Sequence, residues 1–504
     1  MKKKNQMFLN FVTSIISMIV SLGISFVLTP YLIENLGKEA YAFYPIANNF
    51  VSYMTIITMT LNSMASRFIT IEISRQNKKK AQEYFSSVLG ANIVLASLLL
   101  IPMICIVWGL DRILDIPMAI VCEIKIMFAL IFSSMLVNLL ASVYGVSAFA
   151  KNRLDIRSES DIVQNVLKGL LYIALFSIFK PRMIFVGLVA LSISVVNMIV
   201  QVVVTRKLLP DYKIARRYIN VALIKELGYA GIWNSINALG STLLLSVGLL
   251  IANIRIGAEA SGTLSIVQVL PNFMTTVIIT VYSVFLPYLT RIYAQEGETS
   301  LNLYSELLRS QKILGYVATL PCLLIILFGK EFFDLWVPEE NSKYLQILSV
   351  ITVMPLLIHS NMWTVYGMTV VLNKVREPSL ILIIIGVFNV IITNLWLGQQ
   401  ADIVIIPLVS SCLNILYYSL LIPYYVGRQI GHYKELFLHL LRIGCFSLLF
   451  IFVGKLLKQT LEIKTWIAFF AYGAFFAVIG YLMAIPFIFT KQDLKNIIFR
   501  ERIK

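Results

Sequence analysis

Apolar runs dominate this sequence. About fourteen stretches of roughly 18 to 28 residues are each long enough to cross a ~30 Å hydrocarbon core as an α-helix. Of the 504 residues, 59% are hydrophobic and only 13% charged, against about 25% charged in an average soluble chain. A water-soluble globule is therefore excluded. No ten-residue segments alternate apolar and polar with period two, which excludes a transmembrane β-barrel. The expectation is an all-α polytopic membrane protein of about fourteen transmembrane helices. They fall at roughly 10–33, 42–66, 86–110, 120–149, 160–179, 183–205, 229–254, 263–289, 312–333, 344–372, 379–397, 402–426, 440–457 and 465–489. Lys2, Lys3 and Lys4 precede the first run, but that run is too long for a signal peptide. It ends without an Ala-x-Ala-like cleavage site and reads as an uncleaved first span.

An even number of spans puts both termini on one side. Thirty of the 42 Lys and Arg residues fall on that side, ten on the other, and Lys125 and Lys168 within spans. Short loops rich in Lys and Arg stay in the cytoplasm. Both termini are therefore expected on the cytoplasmic side of the membrane. Acidic residues split almost evenly, so the net charge of +16 has a topological cause. Nucleic-acid binding would need a soluble basic domain, and the sequence has none. In the inner segment 206–228, Leu208, Leu209 and Tyr212 alternate with Lys213, Arg216 and Arg217. That pattern suits a helix lying on anionic membrane lipids, with a partner-protein site as the alternative. The stretch 491–500 has the same character.

Two hairpins match across the chain. Leu36-Gly37-Lys38-Glu39-Ala40-Tyr41-Ala42 and Ile256-Gly257-Ala258-Glu259-Ala260-Ser261-Gly262 share Gly, Glu and Ala at an offset of 220 residues. Arg67 and Arg291 match loosely, each closing the span that follows its hairpin. Chance recurrence of a Gly-x-Glu-Ala turn is the bland explanation. Against it, each copy occupies the first hairpin of a set of six spans, which is the pattern of parallel internal repeats in transporters. The expected domains are an N-terminal six-helix lobe (1–205), a basic cytoplasmic linker (206–228), a C-terminal six-helix lobe (229–427), and two extra helices with a basic tail (428–504).

Ionisable groups inside a bilayer are costly and mark candidate sites. Few are present. Asp161, Asn165, Lys168 and Tyr172 recur at spacings of four, three and four in span five, which places them on one helical face. Either that face meets an anion, or Lys168 snorkels back to the cytoplasmic interface; both readings stand. Glu123 and Lys125 lie early in span four. Neutral polar stripes run along span two (Tyr41, Tyr44, Asn48, Ser52, Thr55, Asn62), span seven (Asn234, Asn237, Ser241) and span eight (Gln268, Asn272, Thr276, Ser283). Serines on such stripes favour close helix packing. Carboxamides are costly to leave unpaired in hydrocarbon, and walls of Asn, Gln and Tyr suit sugar hydroxyls. Arg67 and Arg255, at the inner end of span two and the outer end of span seven, are further candidate anion contacts.

Enzyme chemistry finds little support. Cys105, Cys122, Cys322, Cys412 and Cys445 have no disulfide or metal spacing. His359 is the only histidine within a span and has no nucleophile or acid at a supporting spacing; His432 and His439 flank span thirteen. No Walker motif is present. Neither a cofactor nor a metal is expected.

The hairpin Tyr31-Leu32-Ile33-Glu34-Asn35-Leu36-Gly37-Lys38-Glu39-Ala40-Tyr41-Ala42, with span two and the basic turn at Arg67, resembles the opening of bacterial polysaccharide flippases. These belong to the multidrug/oligosaccharidyl-lipid/polysaccharide exporter superfamily, and the 256–262 copy resembles their second hairpin. The resemblance implies two six-helix lobes around a central cavity open alternately to either side, lined largely by spans one, two, seven and eight. It implies as substrate an undecaprenyl-diphosphate-linked oligosaccharide repeat unit for capsule or O-antigen, with a polysaccharide polymerase as a candidate partner. The candidate substrate contacts, read from charge and polar spacing, are Lys168, Asn165, Tyr172, Asn48, Asn62, Arg67, Asn234, Asn237, Arg255, Gln268 and Asn272. Two other branches compete. Multidrug exporters carry an acid in span one, and residues 14–29 contain none; peptidoglycan-precursor flippases share the two extra spans but cluster arginines where this chain has only Arg67.

Overall fold

The structure, a computed structural model, describes residues 3–212, 214–297, 300–431, 434–459 and 461–489; the basic 491–500 stretch and His432 lie outside them. Every expected span falls in a helix. In chain order these are α1 (Lys3–Leu36), α2 (Lys38–Ser74), α3 (Lys78–Trp108), α4 (Val121–Ala150), α5 (Leu154–Ile178), α6 (Met183–Leu208) and α7 (Val221–Leu245 with Val247–Arg255). Then come α8 (Ala258–Glu296), α9 (Leu301–Trp336), α10 (Ser342–Val371, with a 3-10 turn at Ser360–Met362), α11 (Arg376–Leu397), α12 (Ile405–Ile430), α13 (Lys434–Lys458) and α14 (Trp466–Ile488).

Helix starts follow from capping. Asn77, Asn220, Ser300, Asn341 and Thr465 each accept a bond from a backbone N–H of the first turn they precede, which satisfies a donor the helix itself leaves open. Among the described residues, twelve helices are long and apolar enough to span a membrane, thirteen counting α7 as one bent span. The helix missing from that count is α2. It has 37 residues, but its asparagines, tyrosines and hydroxyls make it too polar to register by hydropathy.

α7 bends by 41° at Ser246. The bend has a partner: the freed Ser246 carbonyl accepts from Asn49 Nδ2 at 3.0 Å and from Tyr53 Oη at 3.4 Å. α2 thereby supplies the bonds that α7 gives up.

By packing, the chain forms two compact units, Met1–Gly262 and Thr263–Lys504. In the first, α2 lies along α7, α1 along α5 and α4 along α6. α2 and α7 approach closely because Gly231 has no side chain: a Cβ there would sit 1.8 Å from the Thr60 carbonyl oxygen. One turn further, Thr60 and Ser235 share a hydroxyl hydrogen bond of 2.6 Å. In the second unit α9 packs against α10, α13 and α14, around Phe328, Phe446, Phe450 and Phe476.

The segment between α6 and α7 departs from expectation. Its described residues form no surface helix; a short 3-10 turn (Arg216–Tyr218) sits in otherwise extended chain. The cause is α3. Ser86 Oγ accepts the Ala215 N–H at 3.2 Å and Ser87 Oγ the Asn220 N–H at 2.8 Å. Leu209 joins Tyr84, Phe85 and Val88 in a buried cluster. Backbone groups captured by side chains of another helix cannot also close a helix of their own.

The repeated hairpins are alike in detail. Gly37 and Gly257 each follow the last residues of a helix with φ of 83° and 132°, a region that favours glycine, and a new helix starts at once. Lys38 of the first copy pairs with Glu259 of the second, Nζ to Oε1 3.3 Å. A second correspondence links two tyrosines at the same offset, each donating to a glutamate. Tyr84 Oη of α3 donates to Glu226 at the start of α7 (3.0 Å), and Tyr304 Oη of α9 donates to Glu435 at the start of α13 (2.9 Å).

Candidate functional site

Lys168 projects from α5 toward α2. Its Nζ donates to Tyr44 Oη at 3.3 Å and lies 5.8 Å from the centre of the Tyr44 ring. The side chain is half-buried and has no carboxylate partner among the described residues. One turn along, Asn165 Nδ2 donates to the Asp161 carbonyl of its own helix at 2.8 Å. Tyr172 is fully buried against Phe176, and its hydroxyl has no hydrogen-bond partner. An ammonium with only a phenol beside it carries uncompensated charge in a low-dielectric setting. Such a position suits an anion.

The two charges of span four are satisfied. Lys125 meets Asp111 at 2.6 Å and the Trp108 carbonyl at 3.0 Å; this hydrogen bond holds the Asp111 carboxyl below the usual carboxylate range. Glu123 accepts from Arg182 Nε at 2.8 Å and from the Met183 N–H at 3.2 Å. Both are ion pairs at helix ends. Arg67 and Arg255 are exposed, with no ion pair among the described residues.

Asn62 is the most connected of the expected carboxamides. It exchanges two hydrogen bonds with Asn92 of α3 (3.1 and 3.0 Å) and accepts from Ser142 of α4 at 3.3 Å. Asn48 Nδ2 donates to the Tyr44 carbonyl of its own helix at 3.0 Å. Asn234 is half-buried, and Asn237 has a buried amide nitrogen without a partner. Gln268 and Asn272 belong to the Thr263–Lys504 unit, where Gln268 is half-buried and Asn272 exposed. The structure thus brings Lys168 to Tyr44, with Asn165 and Tyr172 on the same helix. Asn62 sits in a separate polar cluster.

Sequence reasoning missed part of that cluster. Asn138 on α4, and Asn197 and Gln201 on α6, line a cavity of about 350 Å³ with Asn62, Arg157 and Asp161. The available signal was spacing: Ser134, Asn138 and Ser142, like Asn197 and Gln201, recur every four residues within apolar spans. In the second unit, a cavity of about 420 Å³ between α8, α9 and α14 is almost wholly apolar, lined by Leu270, Met274, Phe328, Phe332, Phe469 and Phe470 among others. His359 is buried and stacks on Tyr418 with ring centres 4.9 Å apart, the surroundings of a packing residue.

Fold and site together define a multi-span, all-helical membrane protein with the architecture of flippases and drug exporters. The lipid II flippase MurJ in an inward closed conformation shares the fold, with a TM-score of 0.66 over 99% of this chain and 100% of that one at 12% identity. A multidrug resistance transporter of the MATE family in its inward-facing conformation gives a TM-score of 0.65 over 83% of this chain and 95% of that one at 14% identity. In sequence, the chain is 26% identical over 504 residues to EpsK, an uncharacterised membrane protein of Bacillus subtilis (strain 168), covering 98% of both. No family model matches the chain.

Proposed function

We propose that this chain is a flippase of the multidrug/oligosaccharidyl-lipid/polysaccharide exporter superfamily. Its cargo is an undecaprenyl-diphosphate-linked oligosaccharide repeat unit, moved by alternating access across the cytoplasmic membrane for surface polysaccharide assembly. The observation that carries this reading is the uncompensated ammonium of Lys168, held in a membrane-spanning unit beside Tyr44. A cationic drug would be repelled there, while a diphosphate supplies the missing negative charge. Support comes from the fold shared with a lipid-linked precursor flippase over the full chain. The apolar cavity between α8, α9 and α14 offers a dry surface for a polyprenyl chain, and the clustered carboxamides suit the glycan. The Lys/Arg distribution supports cytoplasmic termini.

Deleting the gene tests the reading. Lipid-linked repeat units should accumulate on the inner leaflet and a surface polysaccharide should be lost, with dye and antibiotic sensitivity unchanged. Sensitisation to cationic drugs with the glycan intact would instead assign the multidrug branch.

A further inference from the structure

The polar cavity of the Met1–Gly262 unit is built by four helices, and every residue that lines it belongs to that unit. α2 contributes Asn62 and Ser66, α4 Asn138 and Ser142, α5 Arg157 and Asp161, and α6 Asn197 and Gln201. Four carboxamides converge here in a chain that is 59% hydrophobic, and three of them, Asn138, Asn197 and Gln201, hold one another in place. Asn138 Nδ2 donates to Ser194 Oγ at 2.8 Å, Asn197 Nδ2 to Asn138 Oδ1 at 3.0 Å, and Gln201 Nε2 to Asn197 Oδ1 at 3.4 Å. A primary amide has two N–H bonds and an oxygen with two acceptor sites. Asn138 and Asn197 each use one N–H in this relay, which leaves a second on each. The Gln201 oxygen accepts no bond among the described residues and faces Gly145, where a side chain would stand 3.6 Å away.

The wall therefore presents pre-positioned donors and acceptors of both kinds. Asp161 and Arg157, one turn apart on α5, are its two charged members and carry opposite signs. A hydroxyl group both donates and accepts, so vicinal hydroxyls pair with adjacent amides. The volume, about 350 Å³, lies in the ~300–1,000 Å³ range of small-ligand sites. A second cavity of about 420 Å³ shares Asn62, Asn138 and Ser142 with it and continues between α2 and α4 past Thr58 and Thr55 to Asn48. Asn48 and Ser66 are eighteen residues apart on one straight helix, about 27 Å at ~1.5 Å per residue, close to the ~30 Å hydrocarbon thickness.

We infer that the α2–α4–α6 wall is a carbohydrate-binding track inside the N-terminal unit, which takes neutral pyranose rings of the cargo through their hydroxyls while Lys168 holds the diphosphate. This rests on the flippase reading and adds to it Asn138, Asn197 and Gln201 as sugar contacts. The track is distinct from Lys168, which does not line either cavity.

Photocrosslinking in living cells tests it. A benzophenone amino acid is placed in turn at Ala141, Ser142 and Gln201 in the cavity, at Asn165 beside Lys168, and at Leu170, which is exposed on α5. The full-length protein is purified after irradiation and probed for attached glycan by periodate staining and mass. Adducts at one or more cavity positions and at Asn165, but not at Leu170, are expected. Adducts at Asn165 alone would overturn the track and leave the flippase reading intact. No adduct anywhere would remove both. As a second readout free of the probe, Asn138→Leu and Asn197→Leu should each lower glycan export per unit of membrane-inserted protein about tenfold, and Asn197→Gln less. Export at wild-type rates in both Leu variants would equally overturn the assignment.

Discussion

Replacing Lys168 separates the proposed site from a merely tolerated charge. The Lys168 amine has one hydrogen-bond partner, Tyr44 Oη at 3.3 Å. If a diphosphate completes the site, the lost charge-assisted contact is worth roughly 1.5–3 kcal/mol, which is about ten- to a hundredfold in an equilibrium constant. Lys168→Ala should lower glycan export per unit protein by that factor, and Lys168→Arg should keep most of it. Tyr44→Phe removes only a neutral partner, worth about 0.5–1.5 kcal/mol, and should cost about tenfold at most. Stability points the other way. Removing an unpaired ammonium from a membrane-spanning helix relieves a desolvation cost, so the Ala variant should insert at least as well as wild type. Export is read as surface polysaccharide and accumulated lipid-linked intermediate, normalised to membrane protein level. Wild-type export by Lys168→Ala would refute the anion site and return Lys168 to snorkelling.

Two further outcomes test the fold. Gly231→Ala would place a methyl group 1.8 Å from the Thr60 carbonyl, forcing α2 and α7 apart at a cost of about 1–3 kcal/mol or more. Its thermal midpoint in detergent should drop, while Gly228→Ala, where nothing lies within 4 Å, should not; equal midpoints would contradict the close approach. Reporter fusions at Lys79, Arg216 and Arg376 should all report a cytoplasmic location, and finding Arg216 outside would break the topology.

The spans were legible because crossing a bilayer demands long apolar runs, and nothing else in the chain resembles them. Even α2, too polar for a hydropathy count, was bounded by Gly37 and by the basic residues after Arg67. What the sequence left hidden depends on partners far along the chain. The amphipathic pattern in 206–228 suggested a surface helix, but Ser86 and Ser87, some 130 residues away, bind the backbone N–H groups of Ala215 and Asn220 and tie that segment to α3 instead. The bend at Ser246 needs Asn49 and Tyr53, and neither is local. For the site, Lys168 stood out as a charge within a span, whereas its neighbour Tyr44 was one stripe residue among several. Asn138, Asn197 and Gln201 went unselected because scattered neutral polar residues on an apolar helix look incidental until the helices meet.

The tyrosine–glutamate bonds have a consequence for how such a chain can be shortened. Counted by spans, α13 and α14 look like an appendix to a twelve-helix body. Counted by contacts, α13 does for α9 what α7 does for α3: in each case a glutamate on the helix after a set of six receives the phenol of that set's third helix, and the two phenols are 220 residues apart. Removing the last two helices would take away Glu435, the carboxylate that the Tyr304 phenol donates to, so their loss would be felt on α9 as well.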